Sequence, residues 1–148
     1  MNKIEKLRER FLQLQESDGI SELDLNEIEE RLEVKLPLDF RQIAMFYSGG
    51  YLGGISNFSF SNDGNSFNII DETNRLRRAI RLPKRFIALA EPAESIIVMD
   101  TEKTPSIIWC DSVEVDKLEN KSFITKPDEW NSYSEYFAQL IDDEEDEF

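Results

Sequence analysis

The stretch LPLDFRQIAMFYSGG, from Leu36 to Gly50, decides the fold. Pro37 predicts the first turn of a helix, because the N–H that proline lacks would have no helical partner there. An apolar face recurs at helical spacing and comprises Phe40, Ile43, Ala44 and Tyr47. Gly49 or Gly50 supplies the left-handed conformation that commonly ends a helix. We therefore expect a helix over residues 37–48 with one face in the core.

Two charged helices are predicted upstream, over residues 2–15 and 24–34. The first has one apolar stripe, made of Ile4, Leu7, Phe11 and Leu14. Asp24 is the expected N-cap of the second helix, and Glu27, three residues later, would complete a capping box. The inward face of this second helix consists of Leu25, Ile28 and Leu32.

Downstream, the spacing of the apolar residues changes from helical to strand-like. Ile55–Phe60 predicts a strand, residues 61–65 predict a turn, and Phe67–Ile70 predicts a return strand. Asp71 is the expected N-cap of a short helix that ends near Ile80.

Three apolar runs then predict the main sheet: Arg85–Ala90, Ser95–Met99 and Ser106–Cys110. The links between them are short, so neighbouring strands should be antiparallel. Two further runs, Val113–Leu118 and Ser122–Ile124, continue the expected meander. Ser132 and Glu135 then form a capping-box pattern that opens a closing helix over residues 132–141.

These elements predict a single α+β domain over residues 1–141, with helices around a mainly antiparallel sheet. The expected core contains Ile28, Leu32, Phe40, Ile43, Tyr47, Ile97, Ile108, Trp109 and Phe137. The remaining residues, 142–148, include six acidic side chains. We expect this tail to be disordered because its charges repel one another.

The charge of the chain restricts its partners. Thirty-one Asp and Glu residues oppose 17 Lys and Arg residues, which gives a net charge of −14. Such a field repels phosphate, so we expect neither a nucleic acid nor an anionic membrane as partner, whereas a cationic protein would be attracted. The same charge is also consistent with a role in solubility alone.

One basic segment runs against this acidic background, and it carries Arg75, Arg77, Arg78, Arg81, Lys84 and Arg85. It suggests either a contact with an anion or RNA, or pairing with carboxylates of the same chain. No aromatic side chains alternate with the arginines, as single-strand binding would need, so pairing within the chain is favoured. We expect Leu76 and Ile80 to face the core, and Arg77, Arg78 and Arg81 to face solvent.

Groups for catalysis are scarce. The chain has no histidine and one cysteine, Cys110, which follows three apolar residues and is predicted to be buried. We therefore expect no disulfide, no zinc site, no cofactor and no catalytic residue. No apolar run is long enough to cross a membrane or to act as a signal peptide, and we expect a soluble cytoplasmic protein.

The Glu-rich helix, the Leu-Pro step, the Phe-bearing helix and the Gly-Gly pair together resemble the N-terminal signature of the SUKH superfamily. Further matching pieces are SIIVMD (Ser95–Asp100), SIIWCDSVEV (Ser106–Val115) and SYSEYFAQLI (Ser132–Ile141). Trp109 resembles the strand tryptophan of that family. The resemblance covers Leu25–Ile141 and implies an α+β domain with helices on a mainly antiparallel, curved sheet. The family has no shared catalytic motif.

The superfamily includes fungal regulators of cell-wall synthesis of the Smi/Knr type and many bacterial immunity proteins. For a bacterial member, the resemblance implies an antitoxin that binds a cognate polymorphic toxin, often a nuclease, in the cytoplasm. A nuclease cleft is basic because it holds phosphate, so an acidic protein would be steered into it and would occlude it. Two alternatives stay open: a non-enzymatic regulatory scaffold of the cell-wall type, and a domain that binds a small ligand.

The expected partner-binding residues are carboxylates on the connections and exposed edge of the sheet: Glu91, Glu94, Asp100, Glu102, Asp111 and Glu114. Rigid strands would hold these side chains with little loss of entropy on binding. The acids from Asp142 to Glu147 would add to the attraction and speed association.

The purified protein should carry no catalytic metal and show no hydrolytic turnover, because it lacks histidine and has one, predicted buried, cysteine. Elemental analysis and a nuclease assay on fully purified protein check this. Stoichiometric zinc, or nuclease activity that persists through purification, would contradict it.

Overall fold

The computed structural model describes residues 2–61 and 67–147. The α-helices are α1 (Lys3–Leu12), α2 (Glu22–Leu32), α3 (Leu38–Ile43), α4 (Ile69–Ile80) and α5 (Tyr133–Glu145). The strands are β1 (Gly50–Leu52), β2 (Ile55–Asn57), β3 (Phe86–Ala90), β4 (Ser95–Asp100), β5 (Ile107–Asp111) and β6 (Asp128–Trp130). A 3-10 helix, Ser112–Lys117, follows β5. No helix within the described residues combines the length and the hydropathy needed to span a membrane.

The N-cap of α2 is Ser21 and not Asp24 as predicted. The Ser21 hydroxyl accepts a hydrogen bond from the Asp24 N–H (3.1 Å), and the Asp24 carboxylate accepts one from the Ser21 N–H (3.1 Å). Asp24 is therefore the acidic partner inside a capping box that begins three residues earlier. The predicted inward face of this helix is confirmed, since Leu25, Ile28 and Leu32 are buried.

The third helix is shorter than predicted and ends at Ile43. Beyond it, Asp18 and Tyr47 form a parallel backbone bridge, which takes the chain out of helical conformation. The Tyr47 side chain nevertheless stays in the core. Gly49 then has φ +93°, and a Cβ at this position would lie 2.3 Å from the Phe58 carbonyl oxygen. The close approach of these two backbone segments therefore requires glycine.

A small antiparallel hairpin, β1–β2, follows the glycines. Its turn residues, Gly53 and Gly54, have φ +59° and +80°, which two-residue hairpin turns with two left-handed positions require. β2 confirms the first half of the predicted strand Ile55–Phe60, whereas β1 was not predicted. A Cβ on Gly53 would lie 2.5 Å from the Leu140 carbonyl oxygen, because α5 packs directly on the turn.

The segment after the hairpin differs from the prediction. Most of the predicted turn, residues 62–65, lies outside the described residues. The predicted return strand Phe67–Ile70 is wrong, because α4 begins within it. Asn68 is the N-cap of α4 and accepts a hydrogen bond from the Asp71 N–H (2.8 Å), so the predicted cap, Asp71, lies inside the helix.

The main sheet is antiparallel throughout, with the strand order β3-β4-β5-β6. Its first three strands are the predicted apolar runs, and the register places Ile97 opposite Trp109. A bulge between Ala88 and Ala90 shifts the β3–β4 register and increases the local twist. The predicted α+β class with a mainly antiparallel sheet is confirmed.

The predicted continuation of the meander is wrong. Ser122–Ile124 is not a strand, and most of Val113–Leu118 belongs to the 3-10 helix. The Asp111 carboxylate accepts a hydrogen bond from the Val113 N–H (3.0 Å) and so caps this helix directly at the end of β5. The fourth strand is instead β6, which pairs with the first half of β5.

Aromatic side chains from α1, from the segment after α3 and from α5 meet in one core. The ring centroid of Tyr47 lies 5.2 Å from that of Phe137 and 5.5 Å from that of Phe11. Eight of the nine predicted core residues are buried. The exception is Trp109, which is half-buried because it packs against the rim of the core and donates its indole N–H to the Ser95 hydroxyl (2.8 Å).

The acidic C-terminal segment is helical over residues 142–145, which corrects the predicted disorder there. The Arg10 guanidinium lies 2.6 Å from a carboxylate oxygen of Asp142 and 2.6 Å from one of Glu145. The Glu144 carboxylate is buried and accepts the Gly53 N–H (2.8 Å). The hydrogen bond from Arg10 also lowers the pKa of Glu145. A cation on another helix therefore offsets the repulsion within the acidic run, which the local sequence does not reveal.

Replacing Arg10 by glutamine should fray the last turn of α5, because the ion pairs with Asp142 and Glu145 are lost. Hydrogen exchange of the amides from Asp143 to Glu147 should become about several-fold faster, because exposed ion pairs each stabilise a helix end only weakly. Global stability should change little. Arg8→Gln, an exposed arginine on the same helix, is the matched control. Equal exchange in both variants would contradict the assigned role of Arg10.

Candidate partner-binding surface

Five of the six predicted carboxylates lie at two ends of the main sheet, and the sixth, Glu114, lies in the 3-10 helix. One group comprises Glu91, Glu94 and Asp111, and we call its position the Glu94 end. The other comprises Asp100 and Glu102, and we call its position the Glu102 end. Ser95 pairs with Asp111 at the start of β4, so the two groups are separated by the length of this strand, about 17 Å at the usual rise. The predicted residues therefore do not form one surface.

Asp100 is an interior residue. Its side chain is 0% exposed, and its carboxylate accepts hydrogen bonds from Arg85 Nε (3.1 Å) and Lys121 Nζ (2.9 Å). The backbone N–H groups of Glu102 (2.9 Å) and Lys103 (3.0 Å) complete its partners. Burial by itself raises the pKa of Asp100, but these hydrogen bonds outweigh burial and hold the pKa below its ordinary value. The prediction that Asp100 contacts a partner is corrected: it fixes the connection between β4 and β5.

Glu114 is also an interior residue, with 6% of its surface exposed. Its carboxylate accepts hydrogen bonds from the backbone N–H groups of Ile124 (2.6 Å) and Thr125 (3.2 Å). The 3-10 helix is thereby joined to the loop that leads into β6. The prediction of a partner contact is corrected here as well, because this carboxylate positions a loop.

Glu91 is exposed but already paired. Arg75 lies 2.6 Å from its carboxylate and 2.9 Å from that of Glu72, and both acids contribute to raising the pKa of Arg75. The favoured interpretation of the basic segment, pairing within the chain, is confirmed for Arg75. It also holds for Lys84, which pairs with Glu33.

The predicted orientation of α4 is wrong at two positions, Arg77 and Ile80. Arg77 turns inward and donates to the carbonyl oxygens of Leu32 (3.0 Å) and Lys84 (2.7 Å), and burial lowers the pKa of its guanidinium. Ile80, predicted to face the core, is exposed. Two arginines of the segment, Arg78 and Arg81, remain at the surface, as predicted.

A concavity of about 310 Å³ occupies the Glu94 end. Its lining includes three carboxylates, those of Glu94, Asp111 and Asp128, together with Trp109 and Lys126. Within residues 2–61 and 67–147, no cationic side chain forms an ion pair with any of the three. Asp128 was not among the predicted residues, because its position opposite Trp109 depends on the unpredicted strand β6.

Two exposed aliphatic residues adjoin lining residues of this concavity through the backbone. Val113 is 82% exposed and Ile124 is 86% exposed. The Val113 N–H donates to Asp111, a lining residue, and Ile124 directly precedes another, Thr125. Both were assigned to predicted strands, so the sequence pattern offered no signal that each would be almost fully exposed.

The Glu102 end has a smaller concavity, of about 210 Å³. Asp39 and Asp100 line it, but both carboxylates serve the fold: Asp39 accepts the N–H groups of Phe40 (2.9 Å) and Ser134 (2.8 Å). Glu102 is exposed, and the exposed Lys103 lies beside it. The Glu102 end therefore offers a partner less uncompensated negative charge than the Glu94 end.

A family model described as SMI1-KNR4 cell-wall (SUKH_5) matches residues 1–142. The chain belongs to this SUKH family. The resemblance noted in the sequence is thereby confirmed, and the match extends through α1 to the N-terminus. No curated protein matches the chain.

The side chains of this SUKH protein offer little chemistry. Cys110 is 3% exposed, and burial raises the pKa of its thiol to about 11, so the thiol is protonated at neutral pH. Among the described residues, no three Cys, Asp or Glu side chains converge closely enough to hold a metal ion. The family is generally non-catalytic. What the arrangement offers is an acidic concavity with exposed aliphatic residues on adjoining segments.

Replacing Asp100 by asparagine should destabilise the fold by about 3–5 kcal/mol at pH 7, because Arg85 and Lys121 lose a buried counter-charge. Urea unfolding measures the loss. Glu102→Gln, an exposed carboxylate two residues away, is the matched control and should have little effect. Equal stability of the two variants would contradict the interior role of Asp100.

The effect of Asp100 should also depend on pH with a defined sign. Its folded pKa lies below the ordinary value of 3.8, so its ionised form stabilises the fold fully only well above pH 3.8. This contribution disappears as the pH falls through the lower, folded pKa. The stability difference between wild type and D100N should therefore shrink below pH 3.8, and a difference that grows in acid would be inconsistent with the lowered pKa.

Proposed function

We propose that this SUKH protein is a bacterial immunity protein that binds a cognate toxin in the cytoplasm and occludes its active site without chemistry of its own. The toxin class that fits best is a nuclease with a basic cleft. The observation that carries the proposal is the Glu94 end, where Glu94, Asp111 and Asp128 surround a concavity without an ion-pair partner among the described residues.

Charge supports this partner class. The net charge of −14 attracts a cationic surface over a long range, which accelerates association. Rigid elements hold the acids that would make contact: Asp111 ends β5, and Asp128 begins β6. Little side-chain and backbone entropy would therefore be lost when a partner binds.

The C-terminal acids have a smaller part in this proposal than the sequence suggested. Asp142 and Glu145 are paired with Arg10, and Glu144 is buried against the β1–β2 turn. They contribute to the overall field from fixed positions. Asp143, Asp146 and Glu147 are exposed and remain available to attract a cationic partner.

The second candidate is a non-enzymatic regulatory scaffold, and the description of the matching family as cell-wall favours it. Such a scaffold would use the same acidic surface to hold a protein of the host cell. The two functions predict different partners: an immunity protein protects cells against a toxin encoded beside it, whereas a scaffold co-purifies with host signalling or cell-wall proteins.

Co-expression with the toxic C-terminal domain encoded beside this gene should protect cells, and the purified pair should form a stoichiometric complex. Lys substitutions at both Glu94 and Asp128 should slow association about tenfold or more at low salt and weaken its dependence on salt. This pair leaves the Asp111 cap intact. The measurement is stopped-flow or surface plasmon resonance at two ionic strengths.

The matched control for this charge reversal is the double variant Glu9→Lys/Glu30→Lys, which changes the net charge equally on α1 and α2. A general effect of net charge would slow both double variants alike and would count against a specific role of the Glu94 end. If the wild-type chain neither binds the toxin domain nor protects the cells, the immunity proposal itself is wrong.

A further inference from the structure

Val113 and Ile124 are two strongly exposed apolar residues whose segments are joined by one buried carboxylate, that of Glu114. A single exposed aliphatic residue is ordinary. Here two β-branched side chains, each more than 80% exposed, adjoin the same buried residue: Val113 precedes Glu114 in the chain, and the Ile124 N–H donates to the Glu114 carboxylate (2.6 Å).

The frame that presents these two side chains is rigid. Glu114 is almost completely buried, and its carboxylate accepts hydrogen bonds from the backbone N–H groups of Ile124 and Thr125. The 3-10 helix that contains Val113 is anchored by the buried Val115 and by the buried Leu118, which follows the helix. The backbone that carries the two aliphatic side chains is therefore held in place before any partner binds, which lowers the backbone entropy lost on binding.

Charge determines what can cover this apolar pair. The adjoining concavity holds Glu94, Asp111 and Asp128 but one cation, Lys126, among its lining residues. A second copy of this chain would bring the same negative charge and be repelled, as would a nucleic acid. A Lys or Arg is attracted, and the indole of Trp109, which also lines the concavity, is a favourable neighbour for either cation.

We propose that Val113 and Ile124 form the apolar centre of the toxin interface. The toxin surface that fits them presents an aliphatic or aromatic side chain next to a Lys or Arg, and the cation enters the concavity between Glu94, Asp111 and Asp128. An apolar centre surrounded by charge is the usual arrangement of interface residues that contribute most to affinity. This inference deepens the proposed function and rests on it.

The test replaces both aliphatic residues by aspartate. The double variant Val113→Asp/Ile124→Asp makes the surface more acidic, so attraction by charge alone would leave binding to the toxin domain unchanged or strengthen it. Loss of an apolar centre should instead raise Kd about tenfold or more, chiefly through faster dissociation. The matched control is Leu23→Asp, an equally exposed leucine (80%) in the first turn of α2, which should leave Kd unchanged.

A second measurement does not depend on these substitutions. In methyl and indole NMR spectra of the wild-type chain, addition of the toxin domain should shift the Val113 and Ile124 methyl signals and the Trp109 indole signal, and leave the Leu23 methyl signals in place. Thermal unfolding of each variant shows whether the fold is intact. The two measurements together therefore separate loss of the toxin contact from loss of the fold.

The outcomes distinguish the inference from the function on which it rests. If the toxin domain binds wild type, but the double aspartate variant binds equally well and the Val113 and Ile124 methyl signals do not shift, the apolar centre is wrong and the immunity function stands. If wild type does not bind, both are wrong. Sedimentation that shows a wild-type dimer converted to monomer by the substitutions would assign the patch to a second copy and overturn the inference.

Discussion

The packing of Tyr47 against Phe137 is the contact on which the rest of this SUKH domain depends. Tyr47 follows α3, Phe137 lies in α5, and Phe11 of α1 joins them, so one aromatic cluster unites helices from both ends of the chain. The Tyr47 hydroxyl remains satisfied because it donates to the Gly50 carbonyl oxygen (3.1 Å). The aromatic rings thus bury a large apolar surface, and the one hydroxyl of Tyr47 also links the β1–β2 hairpin to the helices.

Carboxylates in this acidic protein have two separate roles. Asp100, Glu114 and Glu144 are buried and accept hydrogen bonds that hold connections between strands and helices in place. Glu94 and Asp128 are exposed and, in the part of the chain that the structure describes, are not paired with cations. Glu114 positions the loop that leads to Asp128, one of the exposed acids. The interior carboxylates therefore help to fix the structure that presents the acidic surface.

A protein that neutralises another by binding needs both rapid encounter and slow release. Long-range charge contributes mainly to the encounter, whereas desolvated apolar contacts at the centre of an interface contribute mainly to the lifetime of the complex. The proposed interface would combine the two, since acidic residues surround the concavity and the exposed Val113 and Ile124 lie on segments that adjoin its lining. The Glu114 carboxylate joins the two segments that carry these residues, although the residues are eleven positions apart in the chain.

The sequence by itself determined the fold class, the family and the buried faces of α2 and α3, because helical and strand periodicity record burial locally. It also determined the absence of histidine chemistry. Only the tertiary structure decided the role of each charge: Asp100 and Glu94 look alike in sequence, yet Arg85 and Lys121 reach one and not the other. The same holds for Arg10, which keeps the acidic end of α5 helical. Charge pairing depends on side chains that come from distant positions in the sequence, and no local sequence pattern shows which of them meet in the folded structure.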